Sequence, residues 1–156
     1  MDTRLIRILG AGALVAGTSG LAAQGPAPAA HAAAAALQAE RVSMVVVSGV
    51  HLGTDKKLHD AFTPTDITAR VGQKVVVTVY NYDQGSHSFT APALHLNVVF
   101  AAATRVGVPT VKTFSFTVAK VGSYHWQCLM PCDDTAKGWA MAHAGYMAGT
   151  VTIIGR

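Results

Sequence analysis

Apolar and polar residues alternate in short runs over much of this chain, and the runs are too brief for helices. Ile67, Ala69 and Val71 are apolar at every second position, as are Phe114, Phe116 and Val118, which is the period of a half-buried strand. Residues 41–50 (RVSMVVVSGV), 74–82, 123–128 and 149–154 are rich in β-branched or aromatic residues and read as further strands. Between 67–71 and 74–82 lies only Gly72-Gln73, a turn that predicts two adjacent antiparallel strands. Residues 51–60 carry His51, Asp55, Lys56, Lys57, His59 and Asp60 and read as a polar loop or short helix, with both histidines exposed. Asn81, Asp83, Gln84, Gly85 and Ser86 supply turn chemistry that delivers His87 to the start of another short β-prone segment. Beyond it, Leu94, Leu96 and Val98 share one strand face while His95, Asn97 and Val99 share the other, before a break at Gly107-Val108-Pro109. No helical period appears outside the loop that follows the cysteines, and no internal repeat. The pattern predicts an all-β sandwich formed by one domain over residues 41–156.

Composition agrees with one domain: the chain has 156 residues, 51% of them hydrophobic and only 13% charged, enough for one real core and too few for two. The N-terminus adds a destination. Arg4 and Arg7 precede an apolar run over 8–23, a signal-peptide pattern. Residues 1–36 are therefore expected to be a signal peptide with an Ala-rich leader, and the protein to be exported to the periplasm or the extracellular space. Membrane anchoring follows only if that segment stays uncleaved. The formal charge of +4 comes from basic residues scattered singly apart from Lys56-Lys57, which speaks against a nucleic-acid surface.

Candidate chemistry gathers near the end of the chain. Cys128 and Cys132 are the protein's two cysteines, and His143 and Met147 follow them. In an oxidising compartment two thiols pair or bind metal. Thiolate, imidazole and thioether together form a soft donor set that suits copper and not magnesium or calcium. His87, held at a strand end, is placed to complete the set. Cys128 ends a predicted strand and is the more rigid thiolate candidate. Cys132 is then a second ligand, a spare thiol or a disulfide partner. A Cys128–Cys132 disulfide would close a tiny loop with little stabilising effect, and it would leave His143 and Met147 without a role. Asp133 or Asp134 is placed to cap a short helix starting at Thr135. Trp139 and Met141 either cover the site or simply pack, and Met130 and Met141 are alternative thioethers.

The order of these pieces resembles the cupredoxins, Greek-key β-sandwich copper proteins. The resemblance rests on Asn81-Tyr82-Asp83 ahead of His87-Ser88-Phe89, on Gly122-Ser123-Tyr124-His125-Trp126-Gln127-Cys128, and on His143 with Met147. It implies a cupredoxin-like Greek-key sandwich and a mononuclear His87/Cys128/His143/Met147 copper site. The implied function is one-electron transfer, without catalysis, to a redox partner such as a cytochrome or terminal oxidase. The second cysteine is also similar to the binuclear CuA loop of cytochrome oxidase subunit II. There both thiolates bridge two coppers, and the Met130 carbonyl, His87, His143 and Met147 would be the remaining ligands. Residues 133–142 make the stretch before His143 longer than in that loop. One copper or two, and a storage or delivery role in place of redox turnover, are the alternatives this leaves.

Overall fold

A computed structural model describes residues 37–155 of the chain; the predicted signal segment over 1–36 lies outside the described residues. Nine strands form among the described residues: β1 (Glu40–Leu52), β2 (Leu58–Thr63), β3 (Ile67–Arg70), β4 (Lys74–Asn81), β5 (His87–Ala91), β6 (Leu96–Phe100), β7 (Thr110–Thr117), β8 (Gly122–Gln127) and β9 (Ala148–Ile154). They make a four-stranded sheet in the order β2-β1-β4-β7 and a five-stranded sheet in the order β3-β9-β8-β5-β6. The all-β sandwich expected from the alternation is what forms.

Alternation along each strand decides what goes inside. Val75, Val77 and Val79 of β4 are buried, with Met44 and Val46 of β1 from the same sheet. Ile67, Ala69, Phe89, Trp126, Val151 and Ile153 face them from the other. At the centre the Phe89 and Trp126 rings stack at 4.5 Å, and Phe62 meets Trp126 edge-on at 5.1 Å. Trp126 also donates its indole N–H to the Thr65 carbonyl at 2.9 Å, which satisfies the ring's one polar group in the core. Gly149 makes this close approach feasible: a Cβ there would lie 2.1 Å from the Thr65 carbonyl oxygen.

Two expectations are corrected. The strands on either side of Gly72-Gln73 are not a hairpin. β3 pairs in parallel with β9, from Ile67 opposite Val151 to Arg70 opposite Ile154. β4 pairs in parallel with β1 and antiparallel with β7. The turn, with Gly72 at φ +76°, carries the chain from one sheet to the other, because the apolar faces of β3 and β4 are each buried by facing across the core.

The polar stretch over 51–60 is a loop only at residues 53–57, and strand on either side. β1 runs on to Leu52 and β2 starts at Leu58, so His51 and His59 become cross-strand partners in an antiparallel hairpin with an irregularity between Val47 and His51. Gly49 sits in that irregularity at φ +63° and donates its N–H to Asp60. His59 is fully buried, contrary to the exposed position expected for it.

Candidate metal centre

The centre lies where β5 begins and β8 ends. β8 pairs with β9 up to Gln127 opposite Ala148 and meets β5 at Thr90. Cys128, one residue past the strand, continues the ladder by donating its N–H to the Met147 carbonyl at 2.8 Å. Its sulfur accepts the Ser88 N–H at 3.3 Å, while the Ser88 hydroxyl accepts the Leu129 N–H at 2.9 Å. Rigid β5 thereby fixes both the start of the cysteine loop and the histidine at its own first position.

His87 Nδ1 lies 3.1 Å from Cys132 Sγ and 3.9 Å from Cys128 Sγ, and the two sulfurs are 2.8 Å apart. These three ligand atoms all fall within 4.8 Å of one another. All three residues are buried, and both cysteines are free thiols. The Met130 carbonyl turns inward between them, 2.8 Å from Cys132 Sγ and 3.7 Å from Cys128 Sγ. The other imidazole nitrogen, Nε2, is 2.7 Å from an Asp83 carboxylate oxygen.

The electrostatics set the two cysteines apart. The hydrogen bond from Cys132 pulls Cys128 down to about 4 against the opposing effect of burial, helped by His87, the Ser88 N–H and Met130. The same bond, with burial and the nearby charge, pushes Cys132 up. The bond between the two sulfurs favours the thiolate on Cys128 and the thiol on Cys132. Burial works against charge on His87, but hydrogen bonds to Cys128 and Asp83 outweigh it, and its pKa is raised. A thiolate is the form that ligates metal, so the donor set of imidazole nitrogen, two sulfurs and a carbonyl oxygen fits a soft ion such as copper.

The other two sequence candidates, Met147 and His143, differ in their surroundings. Met147 is fully buried and belongs to the same apolar cluster as both cysteines, and its backbone is tied to Cys128. His143 is not in the cluster of ligand atoms found among the described residues. Its ring stacks on Trp139 with centroids 3.5 Å apart, and Nδ1 donates to the Trp139 carbonyl at 2.6 Å. That bond fixes the ring and makes Nε2 the atom through which a ligand role would run.

What supports the loop was not legible in the residue pattern. No regular helix follows Cys132; two short 3-10 turns form, at Asp134–Ala136 and Trp139–Ala142. Asp133 is buried, and one of its carboxylate oxygens lies 2.9 Å from His59 Nδ1 while accepting the Ala140 N–H at 2.8 Å. The Asp133 carbonyl accepts the N–H groups of Ala136 and Gly138. Asp55 holds the opposite nitrogen of His59 at 2.8 Å, and the His59 ring stacks on Trp139 at 4.3 Å. Trp139 is therefore sandwiched between His59 and His143. Burial opposes charge on His59, but the hydrogen bonds and charges of Asp55 and Asp133 prevail and raise its pKa. His59, Asp60, Ala61 and Phe62 are all buried, so both faces of β2 are covered and no alternation in LHDAFT marks His59 as inward.

Beside Cys132, a cleft of about 420 Å³ is lined by Asp60, Asp83, Asp133 and Asp134 with Gly85 and Pro131. No helix among the described residues is long and apolar enough to cross a membrane.

No protein-family profile matches the chain, and no curated protein does. Solved structures do. The blue copper oxidase from Nitrosomonas europaea aligns with a TM-score of 0.54 at 14% identity, covering 77% of this chain and 40% of that one. A copper nitrite reductase from Nitrosomonas europaea aligns with a TM-score of 0.51 at 19% identity, covering 77% of this chain and 42% of that one. The chain thus spans about two fifths of the length of either protein. At such identities the likeness speaks for the fold, and the fold is the cupredoxin fold.

Proposed function

We propose that this protein binds copper at His87, Cys128 and Cys132 and serves as an electron carrier. The observation that carries this reading is the buried trio itself, one imidazole nitrogen and two sulfurs within 4.8 Å of one another at the end of a rigid sandwich. Copper bound there supplies a one-electron couple. The chain's own residues hold the donors and keep water out: Phe62 packs edge-on to His87 at 5.9 Å, and Phe89 and Trp126 close the core beneath. Strand-anchored ligands move little between oxidation states, which suits electron transfer. The copper named in both structural neighbours supports the choice of metal.

In the mononuclear reading, Met147 and Nε2 of His143 complete the set. Met147 is already buried beside the cysteines, whereas His143 would have to leave Trp139 or bind from there. A binuclear reading is favoured by one observation, the Met130 carbonyl lying between two sulfurs that both face His87. The proposal extends to export through the 1–36 segment and to a one-electron redox protein as partner. Copper loading followed by optical and electron paramagnetic resonance spectra tests it. An intense thiolate-to-copper band with a four-line hyperfine pattern supports one copper, and a seven-line pattern supports two. Absence of a thiolate band refutes the copper-thiolate centre.

A further inference from the structure

We propose that Asp83 is a positioning residue for the centre: it fixes the hydrogen of His87 on Nε2, so that Nδ1 is the nitrogen presented to Cys128 and Cys132. This rests on the copper reading for its consequence, but not for its geometry. The Asp83 carboxylate can only accept, and it lies 2.7 Å from His87 Nε2, so that nitrogen must carry the hydrogen. Nδ1, on the sulfur side, is then the position where an arriving ion takes the place of a proton or meets the lone pair. An outer carboxylate on a ligating imidazole sets ring orientation and raises ligand basicity.

The loop before β5 is constructed to hold Asp83 in this role. Asn81, fully buried, accepts the Asp83 N–H at 3.0 Å through its side-chain oxygen. Its amide group donates to the carbonyls of Gly85 and Ala101, both at 2.9 Å. The Asp83 carbonyl accepts the Ala103 N–H at 2.8 Å. Asp83 is thus clamped at its N–H, carbonyl and carboxylate, by three separate segments. Gly85 leaves the room this needs: a Cβ there would lie 2.9 Å from the Asp83 carboxylate oxygen and 3.7 Å from His87 Nε2. Among the described residues, the ion-pair partner of Asp83 is His87, so the carboxylate is committed to this ring.

The test uses the full-length chain, first without metal. Nitrogen-15 NMR of the metal-free protein should show a slowly exchanging Nε2–H on His87, retained in Asp83→Asn, whose amide oxygen still accepts, and lost in Asp83→Ala. Copper affinity, read by competition with a chelator, should fall roughly 10–100-fold in Asp83→Ala, fall less in Asp83→Asn, which keeps the acceptor without the charge, and stay near wild type in Asp134→Ala. Should Asp83→Ala fail to fold, the wild-type spectrum and Asp83→Asn decide the matter. A wild-type His87 with its hydrogen only on Nδ1 overturns the proposal, as does an Asp83→Ala protein that folds and keeps both the Nε2–H signal and the affinity. A wild-type protein that shows the Nε2–H but binds no copper would instead refute the copper reading and leave the positioning role standing.

Discussion

Asp133→Ala is the most informative single perturbation of the loop that carries Cys132. The carboxylate accepts the Ala140 N–H at 2.8 Å, and Ala140 is fully buried. Truncation strands that amide where water cannot replace the bond, at a cost of about 1–3 kcal/mol. It also strips His59 Nδ1 of its partner, so this range is a lower bound on the total. For a domain of this size each kcal/mol lowers Tm by roughly 3–6 °C. The amide alone then predicts a drop of about 3–18 °C. Asp133 sits at φ 58° and ψ 40°, a left-handed conformation that Asn also tolerates, which makes Asp133→Asn the matched control. Its side-chain oxygen still accepts from Ala140, and it should lose much less. The assay is thermal unfolding of the metal-free protein by circular dichroism, with amide exchange at Ala140 as the local readout. An Asp133→Ala protein with unchanged Tm and a protected Ala140 amide would refute the reasoning.

The charged environment of His59 predicts a pH dependence. Its folded pKa lies above the ordinary 6.5, so the stabilisation it contributes is complete below about pH 6.5 and is lost as pH rises through the raised value. His59→Gln should flatten that decline in denaturant titrations run from acid to mildly alkaline pH, and an unchanged profile would count against the His59–Asp133 pair. Cys128, pulled down to about 4, should give the metal-free protein one thiolate at neutral pH. The ultraviolet thiolate absorption should vanish in Cys128→Ser and survive acidification well below the usual range of a thiol; a band that titrates near the ordinary value would contradict the hydrogen-bonded pair. Gly149→Ala forces a methyl group against the Thr65 backbone. It should destabilise by about 1–3 kcal/mol or more, read as a shifted denaturation midpoint, and a neutral result would mean that the Thr65 segment yields easily.

The strands with one face in the core were legible as alternation: Ile67 and Ala69 in β3 and Phe114 and Phe116 in β7 kept the spacing that the sequence displays. Partners were harder to see. A short glycine turn such as Gly72-Gln73 looks the same whether its flanking strands pair with each other or cross between sheets, because the choice depends on the distant strands β1 and β9. His87, Cys128 and Cys132 were readable as candidates from residue type, and the structure brings these three together across 45 residues of sequence separation. His143 was chosen for its place after the cysteines, and the structure stacks it on Trp139. The His59 environment escaped because a histidine amid Asp and Lys residues reads as solvated. Inside the protein Asp55 satisfies one ring nitrogen and Asp133, 74 residues away, the other.

The central claim is that His87, Cys128 and Cys132 form a copper-thiolate centre. The most direct measurement is the optical and electron paramagnetic resonance spectrum of the copper-loaded protein, wild type beside Cys128→Ser and His87→Ala. An intense thiolate-to-copper band in the wild type, lost in Cys128→Ser and shifted or lost in His87→Ala, is the predicted result. A wild type that takes up copper with no thiolate band, or a band indifferent to Cys128 and His87, would contradict it.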